Sequence, residues 1–451
     1  MTKKPLGPKG NFFIGNVPEM QRDTLSFYSN AQKEFGDYVR FRAIPGMYWY
    51  SITHPDAIHH ILVGNRENYG KGKYWINQVS RLGGNGMVTS EGDFWKKQRN
   101  IVLPAFHQKS IRTFTETMTD EIQSMLSVWD KKHQDDEIID IAAEMMQLGV
   151  RIAAQTLLNV DLSNDASGLR ESIESTFSYV SECILTPWQV PPPIPTQRNR
   201  NFFKQKKIID DMVYGIIADR RKSTPEKIDI LTMLMHTEDE DTGEKMSDLH
   251  LRNEIVTLLI AGHETVASAL GWAWYLLTQH PEIEAKLREE VNTVLNGKIP
   301  TYDDIAKLKY TRMVLDETLR LYPSAWAIPR TSKEDDEING FPIKKGYPIA
   351  VVQWVTHRHP DFWDNPEKFD PERFAEGTGQ NRHKYAYFPF GGGERFCIGK
   401  QFAIMEGVLV LAMITQRYRL KLIEGQTIQP EVSFTLTAKY GIKCKLEKIK
   451  E

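Results

Sequence analysis

The stretch Phe390-Gly391-Gly392-Gly393-Glu394-Arg395-Phe396-Cys397-Ile398-Gly399 holds the residues with the clearest chemistry. Three consecutive glycines allow positive φ and let the backbone approach a flat partner closely. Cys397 stands at the start of a helix expected from about Ile398 to Tyr418, where the helix dipole and open N–H groups favour a thiolate. No second Cys or His follows at zinc-site spacing. No Gly-Lys-Ser/Thr follows either, as a phosphate-binding loop requires. One axial thiolate to a haem iron fits these features. Read without its neighbours, the cysteine could equally be a buried residue in a tight turn.

Three further segments carry candidate chemistry. Glu317 and Arg320, three apart on an expected helix, can pair on one face, although such pairs are commonly exposed and weak. Leu259-Ile260-Ala261-Gly262-His263-Glu264-Thr265 lies in a helical pattern from about Ser247 to Gln279, roughly 50 Å long. Gly262 and Thr265 are poor interior helix formers, and a Gly with a nearby Thr hydroxyl can open a helix to water or ligand. Glu264 beside Thr265 offers an acid–alcohol pair for proton transfer. Trp95 and Arg99, four apart, present an indole N–H and a guanidinium together, a combination suited to a carboxylate. The pairs His357/His359 and His59/His60 are weak metal candidates.

These segments need a large, mostly helical frame. The chain has 451 residues, 41% hydrophobic and 26% charged, with 57 Lys and Arg against 59 Asp and Glu. That is a globular composition, with no charge signal for nucleic acid or an anionic surface. Three cysteines, Cys183, Cys397 and Cys444, form no disulfide framework. The longest apolar run, near Val408 to Ile414, is too short to span a bilayer, and the N-terminal stretch has no secretory h-region. These features predict a soluble, cytoplasmic protein with no transmembrane segment. Residues 38–52 read as a hairpin turning at Pro45-Gly46, and 338–355 and 433–446 read as strands. Residues from about Asp93 to Leu321 read as mostly helical. Thr186–Thr196 carries five prolines and is a loop, either a connector or a lid. His357–Phe390 is a long irregular segment of the kind that is functional or wrapped tightly on the fold. The expected class is mainly α with small β-sheets (α+β).

The pattern Phe-x-x-Gly-x-Arg-x-Cys-x-Gly resembles the haem-binding signature of the cytochrome P450 superfamily of haem-thiolate monooxygenases, and the other segments match over essentially the whole chain. The resemblance implies a single domain over 1–451, with haem b buried between the long central helix and the cysteine-loop helix. It implies Cys397 as the iron ligand and Phe390, Gly393 and Gly399 as loop residues at the haem. It also implies Trp95, Arg99, Arg395 and, by position, Arg330 at the propionates. Glu317, Arg320 and Arg373 become a structural lock, and Glu264 and Thr265 the proton relay. By position, Met87, Val88, Leu258, Ala261, Ala325, Trp326, Ala327 and Leu436 line an apolar substrate pocket.

The implied reaction is O2-dependent hydroxylation of a lipophilic substrate: a fatty acid, terpenoid, carotenoid or steroid. Met47 and Ser51 stand in the first hairpin where a bacterial fatty-acid hydroxylase presents Arg and Tyr. Too little chain follows Cys397 for a fused reductase domain, so the expected electron donor is a ferredoxin or flavodoxin with an NAD(P)H-dependent reductase. Lys96, Lys97 and Lys400 are its candidate contacts, and the protein is expected to be a monomer. A peroxide-using or isomerising haem-thiolate enzyme and a non-catalytic haem sensor are the alternatives. Glu264-Thr265 argues against both.

Overall fold

The computed structural model describes residues 5–134, 137–162, 168–186, 190–223, 225–239 and 242–449. The chain forms two compact units. The first comprises 1–75, 316–397 and 434–436, and the second 76–315, 398–433 and 437–451.

The first unit is built on a five-stranded sheet in the order Tyr38–Ile44, Met47–Ile52, Pro348–Val351, Ile328–Ser332, Tyr69–Gly70. Its first two strands are the expected hairpin, with Tyr38 opposite Ile52 and Gly46 at φ +85° in the turn. Met47–Ile52 runs parallel to Pro348–Val351, which joins the 1–75 and 316–397 segments of this unit. β-branched and aromatic residues suit a pleated, half-buried surface. Accordingly Ile52, Ile58, Ile61, Ile349 and Val351 form one core cluster, and Tyr28, Val39, Phe41 and Val352 form another. The expected strand region 338–355 resolves into Asp336–Ile338, Phe341–Ile343 and Pro348–Val351, followed by a helical turn. From His357 to Phe390 there are only short 3-10 turns, at Pro371–Phe374 and Lys384–Ala386.

The second unit is mostly helical. Its axis is the helix Asp248–Gln279, one residue shorter than expected because Ser247 serves as the cap, accepting from the His250 N–H at 3.3 Å. The helix stops before Pro281, which begins the next helix, Pro281–Leu295. The helix Ile141–Leu158 lies against it closely enough that a Cβ at Gly149 would sit 2.8 Å from the His263 carbonyl oxygen. Ile138–Asp140, Lys443–Lys448 and Tyr418–Leu422 form a small sheet with buried Cys444 in its middle strand. The proline loop leads into the helix Gln197–Lys222, while residues 187–189 of that loop lie outside the described residues. Asn199 pins the rest, donating to the carbonyls of Pro191 and Ile194 at 2.9 and 2.8 Å.

The helix Asp248–Gln279 is long and apolar enough to cross a bilayer, but 78% of its most apolar window is buried inside the protein. A search for uninterrupted apolar runs misses it because Arg252, Glu254, His263 and Glu264 break the run.

Gly149 and Gly262 provide a matched test of this packing. Both replacements with Ala gain the same helix propensity, about 1 kcal/mol. A Cβ at Gly262 meets nothing within 4 Å, whereas one at Gly149 meets a backbone oxygen. Gly149→Ala is therefore expected to be about 1–3 kcal/mol less stable than Gly262→Ala in urea unfolding. Equal midpoints would refute the close helix approach.

Candidate active site

Glu317 and Arg320 sit on the helix Lys309–Leu321, and both side chains are 0% exposed, so the surface-pair alternative does not hold. Arg320 grips Glu317 with two hydrogen bonds of 2.7 and 2.8 Å. Its other N–H groups donate to the carbonyls of His357, Pro366 and Lys368 at 2.9, 2.7 and 3.1 Å. Glu317 Oε1 accepts from the Asp370 N–H at 2.9 Å and lies 3.4 Å from Arg373 Nε. The Trp363 ring centroid lies 4.9 Å from the Arg320 guanidinium carbon. The three expected residues are thus together. Sequence reasoning missed the rest of the network because backbone carbonyls carry no side-chain signature.

His357 and His359 belong to this packing. His357 Nε2 accepts from the Phe388 N–H at 3.1 Å, and burial together with the Arg320 and Arg358 cations pushes its pKa down to about 3. His359 Nε2 is 3.1 Å from Asp37, and His60 is 2.8 Å from Asp336. No cluster of three or more potential metal ligands occurs among the described residues.

The cysteine loop closes through the Cys397 N–H, which donates to the Phe390 carbonyl at 3.0 Å, and the Gly391 N–H, which donates to Phe388 at 2.8 Å. Its glycines answer to the protein's own packing. A Cβ at Gly393 would lie 2.0 Å from the Leu62 carbonyl, and one at Gly392 2.5 Å from the Tyr385 ring. Gly391, at φ +75°, has no neighbour closer than 3.7 Å. The helix that follows is Lys400–Arg417 with Gly399 as N-cap, so Cys397 stands two residues before the cap, outside the helix. Of the three cysteines Cys397 alone is exposed.

In the second unit, Glu264 is buried, and Ala261, Gly262 and Thr265 are half-exposed on one face of a helix whose central part is otherwise buried. The expected opening of this helix is absent. It is α-helical throughout, and the Thr265 hydroxyl donates to the Ala261 carbonyl at 2.9 Å. The local signature is therefore a clear face, with space where Gly262 lacks a side chain. Trp95 is buried on the helix Gly92–Val102, and the Arg99 guanidinium carbon lies 5.7 Å from its ring centroid. Arg330 and Arg395 belong to the first unit, both half-buried; Arg330 donates to the Pro329 carbonyl at 2.8 Å.

The expected pocket residues divide between the units. Met87 and Leu258 are buried in the second unit, while Val88 and Ala261 are half-exposed. In the first, Ala325 and Ala327 are half-exposed, and Leu436 is buried with its N–H on the Ser324 carbonyl at 3.1 Å. Trp326 packs into the Tyr28–Phe41–Trp49 cluster, 5.8 Å from Tyr28, which directs its ring to core packing. Lys97 is held by Glu244 and Thr242 at 2.8 and 3.2 Å, which occupies its charge; Lys96 remains exposed and Lys400 half-exposed.

In the first unit an exposed cysteine on a glycine-braced loop suits the thiolate of a haem protein, and in the second unit two side chains on one helix face suit haem propionates. Residues 5–446 match the family described as Cytochrome P450. The chain belongs to the cytochrome P450 family. It is similar to cyclooctatin synthase from Streptomyces melanosporofaciens, 33% identical over 96% of this chain and 93% of the relative. It is also similar to cyclooctat-9-en-7-ol 5-monooxygenase from the same organism, 30% identical over 92% and 89%. A bifunctional cytochrome P450/NADPH–P450 reductase from Bacillus cereus is 35% identical over 97% of this chain but only 41% of its own length. The fold matches a cytochrome P450DA heme domain with a TM-score of 0.92, at 24% identity, covering 100% of this chain and 98% of that one. This P450 is therefore an oxidoreductase of the monooxygenase type, mainly α with small sheets.

Removing Glu317 leaves Arg320 buried without its counter-charge, so Glu317→Ala is expected to cost about 3–5 kcal/mol in urea unfolding. A loss under about 1 kcal/mol would contradict the buried lock. His357 has a folded pKa below its unfolded value of about 6.5. Its contribution is complete above pH 6.5 and is lost as pH falls towards 3. Between pH 7.5 and 4.5 that amounts to about 2.7 kcal/mol. His357→Gln, which keeps an acceptor for Phe388, is expected to flatten the acid limb of the stability curve by that amount. An unchanged limb would show that His357 titrates normally.

Proposed function

We propose that residues 1–451 act as one haem-thiolate monooxygenase domain that hydroxylates a lipophilic, largely hydrocarbon substrate of terpenoid type. Its two electrons come from a separate ferredoxin or flavodoxin served by an NAD(P)H-dependent reductase. The observation that carries the reading is exposed Cys397 at the end of a loop braced by Leu62 and Tyr385. The substrate class rests on the relative whose name makes cyclooctat-9-en-7-ol its substrate. Met47 and Ser51 in the first hairpin supply no cation for a fatty-acid carboxylate.

Cys397 would hold the haem iron through its thiolate, with Phe390, Gly393 and Gly399 shaping its loop. Trp95, Arg99, Arg330 and Arg395 would take the propionates. The bound haem supplies reductive activation of dioxygen, with the balance RH + O2 + 2e⁻ + 2H⁺ → ROH + H2O. The chain's task is to deliver two protons and exclude bulk water. With its hydrogen on the Ala261 carbonyl, Thr265 offers lone pairs to a proton donor on the cleared face, and rotation of the hydroxyl lets it donate in turn. Glu264, the next residue back, supplies the exchangeable proton. Apolar Met87, Val88, Leu258, Ala261, Ala325, Ala327 and Leu436 favour a hydrocarbon over water.

The first test is the carbon monoxide difference spectrum of the reduced protein. A red-shifted thiolate-type Soret band, lost in Cys397→Ser, is expected; an imidazole-type band in the unmodified protein would overturn the reading. With ferredoxin, its reductase and a sesquiterpene–diterpene hydrocarbon panel, Thr265→Ala is expected to lower product formed per NADPH consumed by at least about tenfold. Turnover with hydrogen peroxide that matches the ferredoxin-driven rate would favour the peroxide-using alternative.

A further inference from the structure

Glu254 is a carboxylate with 0% exposure, set in the helix Asp248–Gln279 and unused by the chemistry above. Glu254, Leu258, Ala261 and Thr265 are spaced by four, three and four residues, so they share one helix face. That stripe contains the hydroxyl and two apolar residues of the site. At its N-terminal end Glu254 Oε2 accepts the backbone N–H of Met87 at 3.1 Å.

The Met87 loop is pressed onto the same helix. A Cβ at Gly86 would lie 2.2 Å from Thr257 Oγ1 and 2.8 Å from the Asn253 carbonyl, so only glycine permits this approach. The loop's other side is tied to the Trp95 helix. Buried Gln98 donates to the Asn85 carbonyl at 3.1 Å and accepts from the Ser90 hydroxyl at 2.8 Å. Thr89 closes the turn on the carbonyls of Gly84 and Gly86 at 2.7 and 3.1 Å. Two helices therefore hold a loop whose Met87 and Val88 stand beside the stripe. A buried carboxylate needs fixed donors, which gives Glu254 a geometric demand on this loop that an apolar residue would lack.

We propose that Glu254 is a positioning residue: by holding the Met87 amide it sets the 84–90 loop beside the Leu258–Ala261–Thr265 stripe and so determines which hydrocarbon tails the site accepts. The inference rests on the haem-thiolate reading.

The test compares imidazole, which has no tail, with 1-dodecylimidazole, using the Soret shift of the ferric protein as readout. Glu254→Gln keeps an acceptor, and the ratio of the two dissociation constants is expected to stay within twofold of the unmodified protein. Glu254→Leu is expected to lower that ratio at least tenfold, with imidazole affinity itself within twofold. Gly86→Ala, which pushes the loop off the helix without touching the carboxylate, is expected to do the same and decides the matter if Glu254→Leu fails to fold. Unchanged ratios in both, or equal losses for both ligands, would overturn the proposal. A missing thiolate band in the unmodified protein would instead overturn the haem-thiolate reading, so the two failures are distinguishable.

Discussion

A buried charge must be answered on every side, and the first unit is organised around one such demand. Arg320 and Glu317 have no solvent at all. A pair so placed contributes little net stability over an apolar substitute, yet it cannot tolerate a missing partner. What it contributes is specificity. The guanidinium takes the carbonyls of His357, Pro366 and Lys368, and the carboxylate takes the Asp370 amide and the Arg373 cation. Those partners come from a stretch with almost no regular hydrogen bonding of its own. An irregular segment of that length cannot satisfy its backbone internally. The ion pair satisfies it from outside, and the chain beyond runs directly into the cysteine loop.

The second unit meets a different constraint: a long helix must be buried and still keep one face clear. Close packing is obtained by removing side chains from its neighbour, at Gly149, where the His263 carbonyl leaves no room for a Cβ. The clear face is obtained by removing one from the helix itself, at Gly262, where nothing would obstruct it. Thr265 then satisfies its hydroxyl locally, on the Ala261 carbonyl, without distorting the helix. Two glycines close in space thus do opposite work.

Much of the site was legible as residue types at fixed spacing. The cysteine loop, the Glu317–Arg320 pair and the Trp95–Arg99 pair are local patterns, and local patterns survive translation into one dimension. The hairpin at 38–52 and the helix ending before Pro281 were legible for the same reason. What the local patterns did not show depended on neighbours far along the chain. The loop glycines suggest a flat partner, and Gly393 and Gly392 are also required by Leu62 and Tyr385. Trp326, a pocket candidate by position, also packs with Tyr28 and its cluster. Lys97, a candidate docking charge, is paired with Glu244.

The sequence by itself determined the family, the helical class, and the identity of the ligand and relay candidates, because each rests on short-range chemistry: a thiol before a helix, an acid beside an alcohol, charges one turn apart. Only the tertiary structure decided which of those groups are buried and what answers them. It put Glu317 and Arg320 out of solvent, left Cys397 exposed while burying Cys183 and Cys444, and set Glu254 on the Met87 amide 167 residues away. Burial and long-range hydrogen bonding are properties of the packed chain, and no local pattern encodes them.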